Sequence, residues 1–215
     1  MTDDHMQDHW WWRPGWRPGR RMYTWHFTFD GQPAVHDLAA AYQARLDGLP
    51  DLDMIPARWL HLTTQGVGFT DEVTDDQVAA ITSATRERLK GFAPQRVILG
   101  PAKATPEAIL LDVAPIAPLA AIRDELRAAI SDVLGPDRLM ESDEWTPHVS
   151  VAYSSGTAPA APYEAALADG GAAQTVISDV ELIVLGRDQR LYEWTTRAGV
   201  RLAGDAADVP GGALR

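Results

Sequence analysis

The chain has 215 residues, 46% of them hydrophobic and 23% charged, which is the balance of a globular protein long enough for one large domain or two small lobes. Its formal net charge of −11 disfavours a protein that coats long nucleic acid, although the local potential of a site can oppose the overall sign. The lack of cysteine excludes disulfides and thiolate metal sites, and no run approaches the ~20 apolar residues of a membrane span. The N-terminus carries acids and tryptophans where a signal peptide has a basic start and an apolar core, so a cytoplasmic location is the expectation.

Residues 1–9, with Asp3, Asp4 and Asp8 beside His5 and His9, read as a loose tail. The next twelve, Trp10-Trp11-Trp12-Arg13-Pro14-Gly15-Trp16-Arg17-Pro18-Gly19-Arg20-Arg21, reverse the charge of the chain and contain no acid. Trp-Arg-Pro-Gly occurs there in tandem, and Pro-Gly pairs favour turns, which predicts an irregular arm. Interleaved Trp and Arg suit stacking on a base and pairing with phosphate, with Arg13 and Arg17 as candidates. The competing reading is that the tryptophans cover part of the core while the arginines stay wet.

Tyr23 to Phe29 alternates as a strand, with Trp25, Phe27 and Phe29 on one face and Thr24, His26 and Thr28 on the other. That placement would let His26 border a site. A helix over about 34–46, a loop over 49–56 and a strand over about 58–64 follow, and Gln65-Gly66-Val67-Gly68-Phe69 reads as a flexible loop edging a cleft. Thr74 and Gln77 match a capping box that starts a helix ending near Gly91. Strands over 95–99 and 108–113 are joined by a loop over 100–107 that carries Lys103. A helix over 118–134 buries Leu119, Ile122, Leu126, Ile130 and Val133 and stops at Gly135-Pro136. A strand over 146–152, a loop over 154–162, a short helix over 163–168 and strands over 176–186 and 191–202 complete the order. Residues 203–215, rich in Gly, Ala and Asp, read as a disordered tail. The chain thus divides into an arm (1–21), an α+β domain (22–202) and a tail (203–215), and each half of the domain has a histidine-bearing strand, a helix and a pair of strands.

The two histidine strands are Trp59-Leu60-His61-Leu62-Thr63-Thr64 and Thr146-Pro147-His148-Val149-Ser150-Val151-Ala152-Tyr153. Residues i and i+2 of a strand share a face, so His61 projects with Thr63 and His148 with Ser150. Trp59 would share the face of His61. Two imidazoles on one cleft suit general acid–base work, because one can be neutral while the other is protonated near neutral pH. In-line displacement at phosphorus needs a proton removed on one side and given on the other, and the hydroxyls can donate to the non-bridging oxygens. No metal is required. A zinc site from His61, His148 and a third ligand finds no companion carboxylate at ligand spacing. Trp59, Trp145 and Tyr153 are candidates to stack on a base, against the commoner fate of burial.

His61-Leu62-Thr63 and His148-Val149-Ser150 resemble the paired His-x-Thr/Ser motifs of the 2H phosphoesterase superfamily, which includes the 2′-5′ RNA ligases and 2′,3′-cyclic phosphodiesterases. The resemblance covers about residues 22–202 and includes the opening strand and Tyr192 near the closing one. The arm over 10–21 resembles that of a subset, the 2′-5′ RNA ligase-like proteins. The resemblance implies a bilobal, pseudo-duplicated fold: two concave antiparallel sheets around a central cleft, with helices outside. It implies His61 and His148 as acid and base, with Thr63 and Ser150 binding phosphate. Thr64 departs from the usual apolar residue, and Tyr153 stands where many members carry a basic side chain. The expected partner is a nucleotide or RNA end carrying a cyclic phosphate, with no cofactor, metal or membrane, the chain acting as a monomer. The rivals from other classes are a non-catalytic RNA- or nucleotide-binding module on the same fold and a protein-interaction domain that uses the arm.

Overall fold

The structure, a computed structural model, describes residues 5–140 and 144–204. In chain order the elements are β1 (His5–Met6), β2 (Met22–Thr28), α1 (Pro33–Arg45), β3 (Leu52–Met54), β4 (His61–Phe69), α2 (Asp75–Arg88), β5 (Gln95–Ala104) and β6 (Ala108–Ala114). Then come α3 (Ala117–Leu134), β7 (His148–Ser154), β8 (Ala158–Pro159), α4 (Ala161–Leu167), β9 (Ala173–Ile177), β10 (Asp179–Gly186) and β11 (Glu193–Arg201). A four-stranded sheet, β11-β10-β2-β4, and a five-stranded sheet, β3-β7-β6-β5-β9, are both antiparallel throughout. Helices α2 and α3 pack together and cover the first sheet at β11 and β4, while α1 and α4 cover the second at β7, β9 and β5. The fold is the bilobal α+β arrangement, with the two histidine strands β4 and β7 facing each other across the cleft.

The internal repeat is a swap. Strand β4 and helix α2 stay with the four-stranded sheet, but the next hairpin, β5–β6, crosses to the five-stranded one. Strand β7 and helix α4 stay with the five-stranded sheet, and the hairpin β10–β11 crosses back. Each sheet is therefore completed by the other half of the chain, which ties the lobes into one body. The core between sheets and helices holds Trp25, Phe27 and Phe29 from β2, Leu60 and Leu62 beside His61, and Leu119, Ile122, Leu126 and Ile130 from α3, all buried. The Thr74–Gln77 capping box is present at the start of α2.

Several expected boundaries move, each for a local reason. Residues 5–9 are docked rather than loose: β1 pairs with β8, Met6 is fully buried, and His9 is 8% exposed. The stretch 65–69 continues β4 instead of looping. Gly68 serves close approach, since a Cβ there would stand 2.6 Å from Val73, and Phe69 lies under the Arg20 guanidinium at 3.6 Å. Strand β5 runs through Gly100-Pro101, because a bulge between Leu99 and Ala102 absorbs a proline that has no N–H to give the ladder. Lys103 is thereby a strand residue paired with Asp112 at 2.5 Å. The segment expected as a loop before β4 contains β3, and the strand expected over 176–186 changes sheet at Ser178. Most of the expected tail, 205–215, and residues 1–4 lie outside the described residues.

Candidate active site

The same device builds both histidine strands. In β4, Thr63 faces His26 and Gln65 faces Trp25, so Thr64 is an extra residue. In β7, Ser150 faces Leu110 and Ala152 faces Ile109, so Val151 is extra. A bulge therefore follows the hydroxyl residue of each motif, and helix side chains take the bulged carbonyls. Arg123 Nε of α3 donates to the Thr64 carbonyl at 3.0 Å, and Gln43 Nε2 of α1 donates to the Val151 carbonyl at 2.9 Å. Thr64, polar where the resemblance leads one to expect an apolar residue, sits at the first of these bulges.

Each imidazole is oriented by the carbonyl two residues before it. His61 Nδ1 lies 2.8 Å from the Trp59 oxygen, and His148 Nδ1 lies 2.9 Å from the Thr146 oxygen. A carbonyl only accepts, so both Nδ1 atoms carry hydrogen and both Nε2 atoms are left for substrate. His61, Thr63, His148 and Ser150 line one cavity of about 560 Å³.

The two rings differ in their surroundings. His61 is 7% exposed and His148 is half-buried. The His26 ring stacks parallel on His61 at 4.5 Å, and Trp194 meets His61 edge-on at 5.2 Å. Burial pushes the His61 pKa down to about 4; the nearby His148 charge adds to this, and the hydrogen bond to the Trp59 carbonyl opposes it. At neutral pH the His61 ring is neutral, with its Nε2 lone pair free.

The sequence-derived binding candidates separate into groups. Arg13 lines the cavity, donating to Glu107 at 2.5 Å. Tyr153 also lines it, because the Val151 bulge reverses the alternation that would otherwise turn it away from His148 and Ser150. Its ring, 4% exposed, is already stacked by His9 at 4.2 Å, so it offers no open face to a base. Trp145 lines an adjoining cavity of about 610 Å³ that shares His148, and its Nε1 donates to the Thr63 carbonyl at 3.1 Å.

Three candidates stand off the cavity wall. His26 is fully buried beneath His61, with Nε2 3.2 Å from the Thr63 hydroxyl, so it positions Thr63 rather than meeting a ligand. Trp59 falls in a 3₁₀ turn over Ala57–Trp59, outside the strand, and does not share the His61 face; it packs on Trp194 at 4.7 Å and orients His61 through its carbonyl. Arg17 pairs with Asp71 on the outer surface.

Other wall residues escaped the sequence reading. Thr24 was legible as the alternate of His26. His9, Trp16, Glu107 and the wall position of Tyr192 depend on tertiary contacts alone. The His9 Nε2 lies 3.0 Å from the Tyr192 oxygen and its Nδ1 3.2 Å from Glu107. Burial, with the Arg13 charge, lowers its pKa to about 4 against the pull of Glu107. Among the described residues no three His, Asp or Glu side chains are grouped as metal ligands would be.

Solved structures with this architecture include TT0787 of Thermus thermophilus, at 17% identity and a TM-score of 0.67, with 86% of this chain and 99% of that one covered. LigT of E. coli complexed with NADP+ superposes with a TM-score of 0.63 at 12% identity, covering 85% of this chain and 98% of that one. A protein described as a phosphoesterase gives 0.64 at 13% identity over 85% and 98%. At such identities the likeness is one of fold. No curated protein matches the chain significantly. The sequence pattern of the 2′-5′ RNA ligase superfamily matches residues 20–189, and the chain belongs to that superfamily.

Proposed function

We propose that this superfamily member is a metal-independent phosphoesterase that opens 2′,3′-cyclic or related cyclic phosphodiesters on RNA ends or nucleotides. The observation that carries this reading is the pair of imidazoles on one cavity, each locked at Nδ1 and each beside a hydroxyl. His61, held neutral by burial, takes a proton from water at Nε2 while the water oxygen attacks phosphorus. The bond from phosphorus to one ribose oxygen breaks, and protonated His148 gives its Nε2 proton to that leaving oxygen. The Thr63 and Ser150 hydroxyls donate to the non-bridging oxygens as charge builds on them. With a ribose hydroxyl in place of water the same steps join a 2′-5′ linkage, and run backwards they cleave it, provided the cleft admits a nucleotide on each side of phosphorus.

The cavity volume falls in the range of small-ligand sites, and LigT has been crystallised with phosphate, 3′-AMP and ATP as well as NADP+. Among the described residues no helix is long and apolar enough to cross a membrane. The test is turnover of a panel of nucleoside 2′,3′-cyclic phosphates with and without EDTA, with products separated by chromatography. EDTA-insensitive formation of a nucleoside monophosphate is expected. Nucleotide binding without any product would instead favour a binding module on the same fold.

A further inference from the structure

Residues 5–19 lie outside the stretch that matches the superfamily, yet His9, Arg13, Pro14 and Trp16 form part of the wall of the cavity that holds His61 and His148. The segment is pinned to both sheets. On the five-stranded side, Trp10 Nε1 donates to Asp53 of β3 at 2.8 Å, and Trp11 and Arg13 donate to Glu107 of the β5–β6 turn at 2.9 and 2.5 Å. On the four-stranded side, Arg17 and Arg20 pair with Asp71, just after β4, at 3.1 and 2.7 Å. The Gly19 N–H and Arg21 reach Asp188, in the β10–β11 turn, at 3.0 and 2.7 Å. Beneath the segment, the buried Arg187 donates to the His9 carbonyl at 3.1 Å.

The sequence fits this path. Arg13-Pro14-Gly15-Trp16 and Arg17-Pro18-Gly19-Arg20 are successive turns closed by N–H to carbonyl bonds of 3.0 and 3.1 Å, with Gly15 and Gly19 at φ +81° and +79° where a type II turn needs glycine. A Cβ on Gly15 would stand 2.6 Å from the Phe69 ring. Exposed ion pairs contribute little one at a time, so the hold comes from their number together with the buried His9 and Met6.

A strand of nucleic acid that runs through a cleft needs two open ends, and this segment crosses from one sheet to the other at one of them. We propose that the strap of residues 5–21 determines specificity. It closes one end of the cleft, so the site admits a phosphate at the end of a strand or on a single nucleotide and rejects a phosphodiester flanked by nucleotides on both sides. For turnover this rests on the phosphoesterase reading, whereas the exclusion itself is visible in binding.

The experiment measures calorimetric affinities for a nucleoside 2′-monophosphate and for a tetranucleotide with a central 2′-5′ linkage and no terminal phosphate. The proteins are the parent, Gly15→Val and Asp71→Asn/Asp188→Asn, whose changed positions lie off the cavity wall, each shown to be folded by circular dichroism. The parent should prefer the mononucleotide by about tenfold or more, the equivalent of about 1.4 kcal/mol. In the variants that preference should shrink by about tenfold through tighter tetranucleotide binding, with mononucleotide affinity held within about threefold. A parent that binds both ligands equally, or binds neither, overturns the proposal, as do folded variants that keep the full preference. A parent that discriminates in binding but hydrolyses no cyclic nucleotide retains the strap's role and loses the phosphoesterase reading.

Discussion

Strands β4 and β7 share a motif, a bulge after the hydroxyl, a helix side chain on the bulged carbonyl and an imidazole locked at Nδ1. They differ in what lies behind the imidazole. His61 has a second histidine ring stacked against it and a tryptophan edge beside it; His148 stands half-buried between two cavities. A repeated device has thus been given two environments, and burial keeps one ring, that of His61, neutral at neutral pH. In the proposed reaction it is the difference between the halves, more than their likeness, that gives the base role to His61 and the acid role to His148.

The largest test of this division removes a ring. His61→Ala and His148→Ala should each lower kcat/KM for a cyclic nucleotide by roughly 10²–10⁴-fold. The double variant should lose little more than either single one, because the two rings act as a unit. Removing a hydroxyl comes next: Thr63→Val and Ser150→Ala should each cost about 10²-fold in kcat with a smaller change in KM. His26→Phe keeps a ring against His61 but drops the contact to Thr63, so it should give roughly a threefold to tenfold loss, that of one hydrogen bond. If His26→Phe is as damaging as Thr63→Val, the two halves are less alike at the phosphate than their hydroxyls imply.

Acid should act on the buried rings first. His61 and His9 are pushed to about 4 by burial, and burial also holds His26 well below 6.5. These groups bind fewer protons folded than unfolded, so the stability they contribute is full above about pH 6.5 and is lost as pH falls below it, for His61 and His9 through about 4. Between pH 7 and pH 5 each of His61 and His9 should withdraw on the order of 1–2 kcal/mol, seen as a lower urea midpoint. His9→Phe should flatten that dependence. The smallest effect belongs to the scaffold: Gln43→Leu removes the Nε2 bonds to the Val151 and Ile55 carbonyls, the first of which keeps the Ile55 N–H, and should lower stability by about 1–2 kcal/mol in the same titration.

Alternation and residue type made the proposed quartet legible, since His61 with Thr63 and His148 with Ser150 need only a strand to share a face. Helices α2 and α3 were equally readable from a capping box and an apolar stripe. What local pattern could not carry was parity and reach. The Val151 bulge turns Tyr153 toward the cavity, and a 3₁₀ turn takes Trp59 out of it; neither leaves a mark in the sequence. Gly66 and Gly68 read as a loop because glycine usually marks one, whereas here both continue β4, and Gly68 leaves room for Val73 to pack against the strand. His9 looked like part of a tail because its partners, Glu107, Tyr153 and Tyr192, are all distant in the chain.

The pH dependence of kcat/KM for a nucleoside 2′,3′-cyclic phosphate, measured in EDTA for the parent and for His61→Ala, bears most directly on the two-histidine chemistry. The parent should give a bell whose acid limb falls near pH 4, the pKa that burial imposes on His61, and that limb should vanish in the variant. A rate indifferent to pH across this range, or an acid limb that survives unchanged in His61→Ala, would contradict a proton transfer at that ring.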